Sequence, residues 1–314
     1  MSKDNQQQNQ EEVGFSHLGG QWRVFIVEAF LFSLILGLGI FTGLRLSGVL
    51  VIEGVFPRIE ISPISPFSPN IKIPLSGSSL SLIQFLFYFL FALLFVFFIF
   101  FVLKSKRIKK IILKILFVLT TGLGGILSLG AWHMGPIILF VIGFLIFLWL
   151  QTKSILVHNL LLILGIVGMG SAVGLRIEPW TGVFILMIFS VYDYIAVYKT
   201  KHMIKMAEEM AEQEAILALI VPQKISDFRE SLKEIRVGGK FLILGGGDIA
   251  FPLFFCVSLI PAGILSSLIV AVFALIGLFV SFWIFTNQKA RQPIPALPPI
   301  ALFSIIGFLI TLLI

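Results

Sequence analysis

Long unbroken apolar runs dominate this chain, in place of the alternating or 3.6-residue amphipathic patterns of a soluble domain. A helix needs about 20 mostly apolar residues to cross about 30 Å of hydrocarbon. Nine segments approach that length, at approximately 22–44, 80–103, 112–130, 135–150, 155–175, 180–199, 241–260, 263–285 and 295–314. Only Gly130 to Gly135 separates the third from the fourth, and only Ile260-Pro261-Ala262-Gly263 the seventh from the eighth. The pattern predicts an all-α polytopic membrane protein with nine transmembrane helices.

The polar segments divide the chain further. Residues 1–21 are Gln-rich and lack the short apolar core of a signal peptide, so they read as a cytoplasmic tail ahead of a retained first span. Residues 22–199 form a six-helix part, 200–240 a cytoplasmic loop, and 241–314 a three-helix part. The loop at 45–79 carries Ser62-Pro63, Ser65-Pro66 and Ser68-Pro69, a three-residue period suited to an extended path. The loop at 200–240 contains a helical run from Met203 to Ile220, whose Ala215 to Val221 patch suits the membrane surface. Gly39/Gly43 and Gly170/Gly174 have the spacing of close helix packing. Glu28, two turns into the first span, reads as snorkelling or locally paired.

Composition agrees with the pattern. Hydrophobic residues make up 58% and charged residues 12%, with a mean hydropathy of +1.06, whereas a soluble domain is about one-quarter charged. The net charge of +7 invites a nucleic-acid reading, but its distribution points elsewhere. Of the 23 Lys and Arg, 19 fall on one side if the N-terminus is cytoplasmic: Lys3 and Arg23 up to the start of the first span, six at Lys104 to Lys114, Lys153, eight at Lys199 to Lys240, and Lys289 with Arg291. Arg45, Arg58, Lys72 and Arg176 remain outside. This asymmetry predicts a cytoplasmic N-terminus and an exterior C-terminus, with basic loops facing anionic lipid of the bilayer and no nucleic acid partner. The single cysteine, Cys256, allows no internal disulfide and no zinc thiolate cluster.

Against this background two acids stand out. Asp193 lies six residues before Lys199 and Asp248 eight residues after Lys240, which puts them about 9 and 12 Å below the cytoplasmic surface on antiparallel spans. A charge at membrane depth costs at least about 2.5–3.5 kcal/mol and is by default functional. Gly245, Gly246 and Gly247 clear side-chain bulk beside Asp248 and weaken the helix. The run Pro293-Ile-Pro295-Ala296-Leu297-Pro298-Pro299 reaches a similar depth and cannot start a helix normally, which implies a cavity. Two close carboxylates in a dry site cannot both ionise, so one serves as base and the other as acid toward a water. Tyr192 beside Asp193 suits either packing or a hydrogen bond to the pair.

Tyr192-Asp193, Gly245-x-Gly247-Asp248 and Pro295-Ala296-Leu297 resemble, in order and on spans six, seven and nine, the three signatures of the presenilin and signal peptide peptidase family of intramembrane aspartyl proteases. The resemblance implies that Asp193 and Asp248 are the catalytic pair and that Pro295, Ala296 and Leu297 shape the site. It implies hydrolysis of peptide bonds within transmembrane helices of substrate proteins, without metal or cofactor. The orientation looks like presenilin, while Pro252, four residues after Asp248, looks like the signal peptide peptidase branch. The compact chain is similar to a prokaryotic, archaeal homologue that works in the cell membrane alone or as a homo-oligomer. It also supports strand addition of an extended substrate near Val237 to Leu242, which the residues alone rank as a linker.

A proton- or cation-coupled transporter is the alternative, since intramembrane acids and broken helices also serve transport. No inverted repeat pairs the two Asp segments, and the proline cluster has no natural transport role. A zinc protease needs His-Glu-x-x-His, which the sequence lacks. A serine protease needs a Ser–His pair in the bilayer, whereas His17, His133, His158 and His202 read as lying in or near loops.

Overall fold

The structure, a computed structural model, describes residues 3–48, 82–98, 106–199, 216–222, 225–235, 241–288 and 293–313. Among them are α1 (Lys3–Ser47), α2 (Leu82–Phe97), α3 (Lys106–Ala131), α4 (Ile137–Thr152), α5 (Ile155–Gly174), α6 (Pro179–Tyr194), α7 (Gly246–Ser258), α8 (Ile264–Thr286) and α9 (Leu297–Thr311). The Ser-Pro run at 62–69 and most of the helical run expected from Met203 lie outside the described residues.

Among the described residues, five helical stretches are long and apolar enough to cross a membrane: Trp22–Ser47, Arg107–Ala131, Ile155–Gly174, Pro179–Lys199 and Ile264–Thr286. The stretches Ile137–Thr152, Gly246–Ala262 and Leu297–Thr311 are apolar but shorter. Two of them are short for a local reason. The segment expected as a helix over 241–260 enters as an extended strand and turns helical only at Gly246. The segment expected from 295 stays non-helical through Ala296, because prolines at 293 and 295 withhold backbone donors, and α9 begins at Leu297.

The segment at 1–21 is helical from Lys3 onward and continuous with the first span. Two further expectations are corrected. The all-α reading lacks a two-stranded antiparallel sheet, β1 (Ala218–Pro222) with β2 (Phe241–Gly245). The Ala215 to Val221 patch, expected at the end of a surface helix, supplies β1, with all five strand residues buried. The β-branched Ile220-Val221 pair, closed by Pro222, suits a packed strand better than a helix turn.

Within the bundle, α5 packs against α1, α3, α7 and β1. The two glycine pairs act as packing surfaces around α7. A Cβ added at Gly39 or Gly170 would run into Leu253, and one at Gly43 or Gly174 into Val257. The helix that carries Asp248 in its first turn is thus seated in a slot between α1 and α5. Outward-facing Phe30, Phe87, Phe140 and Leu302 remain exposed, as a lipid-facing surface requires.

Candidate active site

Asp193 is the next-to-last residue of α6, after which the chain tightens into a π-helical turn at Ile195–Lys199. Its side chain is buried and accepts a hydrogen bond from the backbone N–H of Leu297, with 3.3 Å between N and Oδ2. The first turn of a helix carries N–H groups without intrahelical partners. At the start of α9, Pro298 and Pro299 have no such group, which leaves the Leu297 N–H as a directed donor, and it is spent on Asp193. Pro295 is buried beneath it, Ala296 is the N-cap, and Leu297 is 2% exposed.

Asp248 stands in the first turn of α7 and is partly buried. Gly245 ends β2 and caps the helix, while Gly246 and Gly247 form its first two residues. The Gly245 N–H hydrogen-bonds the Asp248 carboxyl, and a Cβ at Gly245 would come within 2.9 Å of Oδ2. A Cβ at Gly246 would come within 2.8 Å of the Leu217 carbonyl. Gly247 is exposed and leaves the approach to Asp248 open. Asp248 and Asp193 are near enough to interact electrostatically. The N-termini of α7 and α9 both end at this pair, so two positive helix ends meet two carboxyl groups. Tyr192 is half-exposed beside Asp193.

The structure also brings in residues not expected there. Phe189, one turn before Asp193, stacks on Phe251, three residues after Asp248, with ring centroids 4.3 Å apart and planes at 16°. Their i−4 and i+3 spacing from the acids was a readable signal. Glu28 is 5% exposed on the α1 stripe that buries Val24 and Phe32, and it is within electrostatic reach of Asp248, so it does not snorkel, and it makes no hydrogen bond or ion pair among the described residues. Away from the acid pair, His158, expected in or near a loop, lies in the first turn of α5 and is fully buried against Phe117.

The sheet leads into the site. The Gly246 N–H donates to the Leu217 carbonyl at 3.1 Å, continuing the ladder in which Leu219 faces Leu244 and Val221 faces Leu242. Alternation then turns the backbone groups of Ile243 and Gly245 to the opposite edge of β2. Asp248 lies on that edge, bonded to Gly245.

Comparison with known proteins identifies the class. The family model described as signal-peptide peptidase, presenilin aspartyl protease matches residues 76–314, and the chain belongs to that family. The fold is similar to a solved presenilin family intramembrane aspartate protease in a C222 crystal form, at a TM-score of 0.59 and 20% identity, covering 92% of this chain and 99% of that one. A P2 crystal form of such a protease aligns at a TM-score of 0.49 and 21% identity, covering 89% and 96%. No curated protein matches the chain. Family membership makes the protein an integral membrane aspartic endopeptidase and favours that reading over a transporter.

Proposed function

We propose that Asp193 and Asp248 are the catalytic pair and that they hydrolyse peptide bonds within transmembrane helices of membrane protein substrates. In this reading one carboxylate takes a proton from a water whose oxygen attacks the scissile carbonyl carbon. The other, protonated, carboxyl donates to the carbonyl oxygen. Collapse of the tetrahedral adduct breaks the C–N bond, and the amide nitrogen leaves with a proton returned by the pair. The observation that carries the reading is the buried Asp193 carboxyl, held by the Leu297 N–H and within electrostatic reach of Asp248.

The remaining residues take supporting roles. Gly245, Gly246 and Gly247 keep substrate access clear, Pro295, Ala296 and Leu297 hold Asp193, and Tyr192 lines the approach. An unwound substrate segment adds as a strand to the outer edge of β2, at Ile243, which delivers its peptide bonds to Asp248. The charge asymmetry supports nine spans, with the N-terminus cytoplasmic and the C-terminus exterior, divided at 1–21, 22–199, 200–240 and 241–314. The chain acts alone or as a homo-oligomer in a prokaryotic membrane.

The test is cleavage of a synthetic single-span peptide by detergent-purified protein, beside Asp193→Asn and Asp248→Asn. Asn keeps the volume but cannot exchange the proton. Products from the original chain and from neither variant are expected. Persistent cleavage by either variant rules out the two-aspartate mechanism.

A further inference from the structure

A two-stranded sheet has two edges, and either can accept a third strand. Here the outer edge of β1 is already occupied, by side chains. Asn159 on α5 presents its amide to Ile220 as a neighbouring strand would. Its Nδ2 donates to the Ile220 carbonyl at 2.7 Å, and its Oδ1 accepts the Ile220 N–H at 3.1 Å. One turn of side chains away, His158 Nε2 reaches the Ala218 carbonyl at 3.3 Å. Both residues are buried. The imidazole is itself fixed in a stack, 4.7 Å from the Phe117 ring, which lies 4.6 Å from Trp149. Ala218, Ile220 and Pro222 are the β1 residues whose backbone groups point away from β2, and the two α5 side chains take the Ala218 carbonyl and both groups of Ile220, the centre of the edge that a further strand would need.

We propose that Asn159, assisted by His158, is a positioning residue that closes β1 as a surrogate strand, leaving β2 as the edge that accepts substrate and fixing the hairpin's register against the bundle. The inference rests on the strand-addition reading above and deepens it. Burial follows the same division: all of β1 is buried, whereas Leu242, Ile243 and Gly245 of β2 are only partly so. β1 therefore behaves as a central strand although the sheet has two. Because β2 runs directly into Asp248, any slide of the hairpin along α5 changes which substrate bond meets the carboxyl pair. A slide by one residue would turn buried side chains outward, so the accessible slip is two residues.

Asn159→Leu keeps the branched connectivity at Cγ and removes both bonds to Ile220. With the single-span peptide, kcat/KM is expected to fall at least about tenfold, the scale set when the buried N–H and carbonyl of Ile220 lose their partners. A second product pair, displaced by two residues, is expected beside the original. A residue with only a structural role would lower rate and thermal stability together and leave product masses and their ratio unchanged; that result overturns the proposal. A parallel measurement needs no variant. The same peptide carrying a diazirine leucine at the scissile region is irradiated on wild-type protein, and adducts are mapped by mass spectrometry. Adducts on 241–245 are expected, and adducts on 218–222 overturn the proposal even if Asn159→Leu fails to fold. If wild-type protein does not cut the peptide at all, the catalytic reading fails first and this inference falls with it. Cleavage with unchanged product positions removes this inference alone.

Discussion

The backbone N–H of Leu297 donates to the carboxyl of Asp193 across 3.3 Å, joining the start of the last described helix to the end of the sixth. The two residues are 104 positions apart in the chain, so the bond reports on assembly of the whole C-terminal part around one acid. A proline-rich helix start is what makes the donor available, since the two following residues have no N–H to offer.

That relationship predicts the effect of Leu297→Pro. Proline is tolerated at the first helical position, so α9 should still form, while the donor to Asp193 is lost. A hydrogen bond to a charged group contributes about 1.5–3 kcal/mol, which corresponds to a fall in kcat/KM of about 10- to 150-fold. Leu297→Ala keeps the N–H and should lose far less. Equal losses in the two variants would show that the side chain, and not the amide, carries the role.

The ring stack between Phe189 and Phe251 ties α6 to α7 within one turn of each acid. Either Phe→Ala change should destabilise the protein by about 3–5 kcal/mol if the space does not collapse. The pair should show a coupling of about 0.5–1.5 kcal/mol in a double-mutant cycle read by thermal unfolding in detergent. Strict additivity would mean that each ring packs independently.

α7 is seated between small residues, and that too can be measured. Gly39→Leu places a branched side chain where Leu253 already lies, in a helix–helix contact that buries Leu253 completely. Overpacking of this kind costs about 1–3 kcal/mol. Gly37→Leu, on the same helix with open space around its Cβ position, is the control and should leave the melting temperature nearly unchanged.

What the sequence discloses here follows what membrane physics makes costly. Asp193 and Asp248 were readable because acids at membrane depth are expensive, and the helix starts because Gly245 to Gly247 and Pro293 to Pro299 break the helical pattern. Gly39 and Gly174 were readable as packing positions, but their shared partner α7 was not, because small-residue spacing names no neighbour. The sheet stayed hidden for a different reason. Ala218 to Pro222 and Phe241 to Gly245 are short apolar runs next to longer helical patterns, where the local lean of Ile220-Val221 toward a strand is weak and long-range pairing decides. Asn159 stayed hidden with it, since its partner is backbone 61 residues away.

Glu28 provides the last prediction. It lies on the same helical face as Val24 and Phe32, 5% exposed, with no hydrogen bond or ion pair to another described residue. A carboxyl group in that position loses most of its hydration without a direct partner among the described residues, and a buried polar group in that state costs about 1–3 kcal/mol. Glu28→Met fills similar volume with apolar atoms, and Glu28→Gln keeps the shape without the ionisable group. Both should raise the melting temperature in detergent, Met more than Gln. If the carboxyl is present only as packing, peptide cleavage at a fixed pH should survive both changes. If its electrostatic contact with Asp248 matters for catalysis, both variants should change kcat while the melting temperature still rises. A fall in melting temperature for Glu28→Met would mean that the carboxyl is stabilised in place, and the prediction would be wrong.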